Sequence, residues 1–398
     1  MTDEQNLGNN EKPQENSILD QILATQGLEE LSNFAPREVL DELFQQLDDR
    51  ERDVVTRRFG LRGSDHTTLE EIGKTYDVTR ERVRQIERQA LRKLRAHEEQ
   101  RKHMKPVMNA VRFVLEDHGG AMEEEHLLEE LFASAHNDDE EKKIFVFFMD
   151  SLLVDLFPRL RSKQHFLPGW RIADVDEEYL VNLTSKLVDL IEAHGGEHGT
   201  PMPIDDLHQK ALADEACKTC FAQVPLMRPP DSARHLQACL RLCRSTDRNI
   251  FDHWGLSHWP QVTPKRINDK IYLVLKSEGK PMHFREITDR INQYNFDHKQ
   301  AYAETVHNEL IMDERFVLVG RGIYGLKTWG YRPGVVADII EHVLREATAS
   351  LSKDAIIDEV LKQRMVRRET VYLALTNKKR FQRLADGTYG LVVGVTSS

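Results

Sequence analysis

Residues 68–95 read TLEEIGKTYDVTRERVRQIERQALRKLR, and the spacing of their apolar positions decides the fold. The pattern predicts a short helix, a tight turn and a longer basic helix. Ile72, Tyr76, Val78, Val83 and Ile86 fall where they close one small core between the two helices. Gly73 brings no side chain to hold the helices apart, and Asp77 stands at the turn, where Asp tolerates a left-handed backbone better than most residues. Thr79 is placed to cap the second helix through its hydroxyl, which leaves Arg80, Glu81, Arg84 and Gln85 facing outward.

Those outward residues carry the functional reading. From Thr79 to Arg95 there are seven Arg or Lys against two Glu, in a chain of formal net charge −11. Arg80, Glu81, Arg84 and Gln85 form one strip at the N-terminal end of the helix, the end that enters a major groove in helix-turn-helix proteins. Arg pairs with guanine O6 and N7, Gln with adenine, and Glu accepts from cytosine N4, so the strip has base-reading chemistry beyond phosphate affinity. Arg82, Arg88 and Arg92 on the same helix are expected at phosphates.

The segment 47–96, with RERDVVTRRFGLRG, TLEEIG and VTRERVRQIERQALRKLR, resembles region 4 of the primary bacterial sigma factors, the domain that reads the −35 promoter element. The resemblance covers about an eighth of the chain. It implies that Arg80, Glu81, Arg84 and Gln85 contact bases of double-stranded promoter DNA, and that Arg50, Arg58, Leu69 and Glu70 lie along the phosphate backbone. It also implies that the helix around Asp53 to Phe59 docks on the β-subunit flap of RNA polymerase. Gln89 stands where the family has a basic residue. A working sigma factor carries an aromatic-rich domain upstream that melts the −10 element. Fewer than fifty residues precede the motif here, with Phe34 and Phe44 their only aromatics, so this chain is not expected to open a promoter alone.

At 398 residues, 40% hydrophobic and 30% charged, the composition is that of a soluble protein of two to four domains. No apolar run approaches a membrane span and the N-terminus is no signal peptide, so the expected location is the cytoplasm, on the nucleoid. Residues 1–49 hold twelve acidic and two basic residues, nearly the whole net charge. Residues 1–17 lack periodic apolar positions and are expected to be disordered. Residues 18–46 fit amphipathic helices broken near Phe34-Ala35-Pro36, either a lead-in packed on the helix-turn-helix domain or an acidic arm against a basic partner.

After a charged linker at 97–106 the chain repeats a plan rather than words, over 107–174, 177–260, 266–329 and 331–393. Each unit reads as three helices closed by a β-rich segment, clearest in FVLVGRGIYGL (316–326) and FQRLADGTYGL (381–391). Gly320, Gly322 and Gly387 are expected in hairpin turns, with Tyr324 or Tyr389 packed inward. This is the winged-helix plan. The third unit, with IYLVLKSEGKPMHFREI and its wing, resembles the HARE-type winged helix of some polymerase delta subunits and of chromatin and restriction proteins; no catalytic residue is implied. Lys299, Arg321, Arg364, Arg367, Arg368, Lys378, Lys379, Arg380 and Arg383 are candidates for further phosphate contacts.

Cys217 and Cys220 (C-x2-C) and Cys239 and Cys243 (C-x3-C) have the spacing of a structural zinc site, although Cys239 and Cys243 lie in a leucine-rich helix pattern where cysteine serves as a small hydrophobe. No other cofactor is expected. No phosphate-binding loop, nucleophile elbow or zinc-protease motif occurs, so the chain is not expected to be an enzyme. His283 and the Asp138-Asp139 and Asp205-Asp206 pairs read as helix starts. The expectation is thus a mainly α, multi-domain protein: a sigma region 4-like helix-turn-helix followed by about four winged-helix units. It reads a −35-like element and regulates transcription, sharing or competing for the flap site. A free-standing repressor and the specificity subunit of a restriction system are the alternatives, and the oligomeric state is open.

Overall fold

The computed structural model describes residues 34–392 apart from 97, 134–138, 197–198, 227–228 and 348. The stretch 1–17, the lead-in before Phe34, Asp138 and the last residue of 331–393 lie outside the described residues. The chain forms two compact units, Met1–Leu190 with Ile204–Thr246, and Ile191–Pro203 with Asp247–Ser398.

The first unit opens with α1 (Pro36–Phe44), where proline's fixed φ suits the first turn and Val39, Leu40, Leu43 and Phe44 are buried along one stripe. Helix α2 (Asp49–Phe59) starts on a capping box of Asp48 and Glu51 and stops at Gly60, φ +66°. Helices α3 (Leu69–Tyr76) and α4 (Arg80–Ala96) make the helix-turn-helix. The expected linker at 97–106 is instead largely helical: α5 (Glu98–Asp117) runs through Pro106. The reason is its buried stripe of Met104, Val107, Val111, Val114 and Leu115, which pins the helix on both sides of the proline despite the backbone hydrogen bond that proline removes.

The helix-turn-helix domain is not a separate bead. Leu40, Leu43, Phe44, Val55, Leu61, Ala90 and Leu94 share one core with Val107, Leu115, Phe145, Phe148 and Trp170 of the first winged-helix module. Each buried Leu, Val or Phe of this core stabilises by about 1.5–3 kcal/mol, so the two parts support one another. That module comprises α5, β1 (Ala121–Glu123), α6 (Glu124–Leu131), α7 (Asp139–Phe147) with a π turn at Phe148–Leu152, and β2 (Gly169–Arg171). Strand β1 pairs with β2, Met122 opposite Trp170, while Trp170 also bridges to Arg159.

The same order returns three times: a helix, a short strand, helices, then a hairpin whose last strand pairs with the short one. In the second module the elements are α8 (Glu177–Gly195), β3 (Met202–Pro203), α9 (Ile204–Ala213), α10 (Glu215–Ala222), α11 (Ser232–Leu242), β4 (Thr246–Arg248) and β5 (His253–Leu256), ordered β3-β5-β4. The third has α12 (Ile267–Glu278), β6 (Met282–His283), α13 (Phe284–Tyr294), α14 (Ala303–Met312), β7 (Phe316–Gly320) and β8 (Ile323–Leu326), ordered β6-β8-β7. The fourth has α15 (Val336–Glu346), α16 (Lys353–Gln363), α17 (Arg368–Leu375), β9 (Phe381–Arg383) and β10 (Tyr389–Leu391), with Leu351 bridging to Tyr389 as the reduced first strand.

Further expectations need correction. The boundary between 107–174 and 177–260 is crossed by packing: Ala238 and Leu242 of α11 lie in the Trp170 core, and Leu167 N–H donates to the Leu242 carbonyl at 2.9 Å. Gly320 does not turn its hairpin; Gly322 does, at φ +69°. A Cβ on Gly320 would lie 2.6 Å from the Met365 carbonyl oxygen, so this glycine permits the third wing to touch the fourth module. Tyr324 is buried as expected, while Tyr389 is only partly so.

Candidate nucleic-acid interface

The turn is built by short-range chemistry. The Thr68 hydroxyl accepts from Glu71 N–H at 3.3 Å, and the Glu71 carboxylate accepts from the Thr68 N–H at 2.9 Å and hydroxyl at 2.7 Å. These bonds hold the Glu71 carboxyl below its ordinary pKa. Asp77 takes φ +51°, and Val78 N–H donates to the Gly73 carbonyl at 2.9 Å. A Cβ on Gly73 would stand 2.6 Å from the Val78 oxygen, a contact no side chain tolerates. Behind the turn Ile72, Val83 and Ile86 are buried with Val54 of α2, a member the motif alone does not reveal; Leu69, Tyr76 and Val78 close the edge. The Tyr76 hydroxyl donates to Asp53 Oδ2 at 2.6 Å, and burial together with this bond raises the phenol pKa.

The Thr79 hydroxyl accepts from Arg82 N–H at 3.2 Å, and from there the strip faces solvent. Arg80, Glu81 and Gln85 are exposed and Arg84 is half-buried. The strip is paired along its own helix: Arg84 makes a bidentate contact with Glu81, Nε to Oε2 at 2.7 Å, and Arg82 donates to Gln85 Oε1 at 3.1 Å. The bond from Arg84 keeps the Glu81 carboxyl below its ordinary pKa and raises that of Arg84. Exposed pairs of this kind are worth little.

Arg88 and Arg92 are exposed further along α4, and the exposed Arg50 lays its guanidinium 5.0 Å from the Tyr76 ring centroid. Arg58 is engaged within the domain, 3.1 Å from His66 Nε2, 3.4 Å from the Thr67 carbonyl and 3.6 Å from Glu87. The Leu69 side chain lies at the edge of the core, so only its backbone N–H, at the start of α3, remains for a phosphate; Glu70 is exposed beside Lys74. Two of the seven cations of α4 serve the fold. Lys93 pairs with the buried Glu51 at 2.6 Å, and Arg95 donates to the Ser151 carbonyl at 2.6 Å, fixing the end of the helix to the first winged module.

Elsewhere the expected basic cluster thins out. Arg364 is buried and donates to the carbonyls of Leu318, Arg332 and Gly334; Arg368 pairs with Asp354 and Asp358, and Arg380 with Asp338 and Glu341. Arg367, Lys378, Lys379 and Arg383 remain exposed, as do Lys299 and Arg321. His283 caps α13, accepting from Arg285 N–H at 3.3 Å. Cys217, Cys220, Cys239 and Cys243 are all buried as free thiols, and among the described residues no three of them converge as ligands. Burial pushes the Cys217 thiol up to about 12 and Cys239 higher still.

Residues 43–96 match the family Sigma-70, region 4, and residues 267–329 match the HARE-HTH family, a helix-turn-helix domain named in part for ASXL and restriction endonuclease proteins. Over 67 residues the chain is 52% identical to the RNA polymerase sigma factor SigA of Microcystis aeruginosa and to that of Synechocystis sp.. Each match covers 17% of this chain and 16% of the relative, so the chain spans about a sixth of the length of these curated relatives. Both families are helix-turn-helix domains and neither is an enzyme family. Among the described residues no helix is long and apolar enough to cross a membrane.

Proposed function

We propose that this protein is a sequence-specific regulator of transcription that places the start of α4 in the major groove of a −35-like promoter element. Arg80, Glu81, Arg84 and Gln85 read bases. Arg50, Arg82, Arg88 and Arg92, with the backbone N–H groups of Leu69 and Glu70, hold phosphates, and Arg58 braces that surface from within. The observation that carries this reading is the exposed mixed strip at 80–85, presented by a capped helix on a closed core. The winged-helix modules extend the contact to more DNA or to the transcription machinery. Chromatin immunoprecipitation tests the reading: binding sites centred about 35 base pairs upstream of transcription starts support it, a distance set by the −35 element it is held to read, and sites scattered without a shared sequence contradict it.

Docking on the polymerase β flap through the helix around Asp53–Phe59 is the finer part of the proposal. One observation favours instead a free-standing factor. Val55 is fully buried in the shared core and the Phe59 ring lies 4.7 Å from Phe147 of the first winged module, so the apolar face of α2 already has an intramolecular occupant. Pull-down of the full chain from cell extract separates the two: recovery of the β subunit supports docking, and its absence supports the free-standing factor.

A further inference from the structure

Three side chains outside the helix-turn-helix converge in the first winged module. His118 follows the end of α5, and His126 and Glu130 lie one turn apart on α6, so a single helix face presents both. One ligand atom from each of the three lies within 4.8 Å of the others. Both imidazoles are buried, at 3% and 1% exposure, whereas Glu130 reaches solvent. The rings stand edge to face, centroids 5.2 Å apart and planes at 88°.

Two details go beyond a pair of core histidines. His118 Nδ1 lies 2.8 Å from the Val114 carbonyl oxygen, so it carries the proton and donates, which leaves the Nε2 lone pair free to ligate. That is the backbone support metal-bound histidines commonly have. His126 Nε2 and Glu130 Oε1 are 3.9 Å apart, too far for a hydrogen bond. Bonds of about 2.0–2.2 Å from a tetrahedral ion would set two ligands about 3.4 Å apart, within a small rotamer adjustment of that distance. The neighbouring carboxylates are matched by arginines, Asp117 by Arg234, and Glu123 and Glu129 by Arg241. Among the described residues Glu130 pairs with no Lys or Arg.

We propose that His118, His126 and Glu130 bind a zinc-class divalent cation, with water as fourth ligand, clamping α5 to α6 across the Gly119-Gly120 turn. Two neutral nitrogens and one carboxylate suit zinc, cobalt or nickel rather than calcium or magnesium. The turn itself is two glycines at φ +84° and +87°.

The test uses the full chain, stripped by chelator and titrated with zinc and, separately, with cobalt. One zinc per chain is expected, with a rise in melting temperature. Glu130→Gln, a change at an exposed side chain that leaves the core intact, should weaken binding by about tenfold or more and remove the thermal shift. His126→Gln should do the same, and the Glu130→Gln result stands if that variant does not fold. Bound cobalt should show the visible bands of a tetrahedral nitrogen and oxygen site. No zinc binding, binding unchanged in Glu130→Gln, or the intense near-ultraviolet band of a cobalt–thiolate bond would each overturn the proposal, the last by moving the metal to the cysteines.

Discussion

At the scale of single residues, the proposal separates side chains that read bases from those that hold the backbone. Arg80→Ala should cost about 1–3 kcal/mol on the preferred duplex and relax specificity, whereas Arg92→Ala should weaken all sequences alike and lower the salt slope by about 1. Fluorescence anisotropy on matched and scrambled duplexes at several salt concentrations distinguishes the two, and equal loss on both duplexes in Arg80→Ala would count against base reading. Gly73 makes a separate prediction about the fold. Its Cβ position is 2.6 Å from the Val78 oxygen, so Gly73→Ala should destabilise the protein by about 1–3 kcal/mol, read as a lower denaturant midpoint.

At the scale of elements, α3 is set by the capping box of Thr68 and Glu71, which has a pH signature. Glu71 has its folded-state pKa lowered from 4.5 by the Thr68 bonds, so its contribution is present above that value and is lost as pH falls through the lowered one. Urea midpoints measured from neutral to acid pH should fall less steeply in Glu71→Gln than in the native chain; parallel curves would reject the linkage. The helix-turn-helix was legible in the sequence because its determinants are local: a cap, a left-handed turn at Asp77, a glycine at the crossing, and apolar residues at helical spacing. The winged-helix plan was legible for the same reason, each hairpin following its helices in order. What was not legible depends on distant partners. Helix α5 continues through Pro106 because its stripe meets a core supplied by α1 and α7, and Lys93 and Arg95 look like two more DNA cations until Glu51 and Ser151 are seen beside them. The histidines at 118 and 126 read as scattered because only the H-x3-E spacing of His126 and Glu130 is visible along the chain.

At the scale of the whole molecule, the shared core changes how the protein should be cut. Leu40, Leu43, Phe44 and Leu47 are buried with the first winged module, so removing residues to 47 would open that core and an isolated helix-turn-helix fragment would lose most of it. Residues 1–33 carry seven acidic and one basic residue, and deleting only these should strengthen DNA binding at low salt if the acidic arm masks α4. Unchanged affinity would reject masking. Everything rests on the start of α4 discriminating between bases, and the most direct measurement is selection of the full chain on a random duplex library at fixed ionic strength. The account predicts that one motif resembling a −35 element is enriched and that enrichment disappears in Arg80→Ala. Recovery of random sequence by the native chain, at an affinity that depends on salt alone, would contradict it.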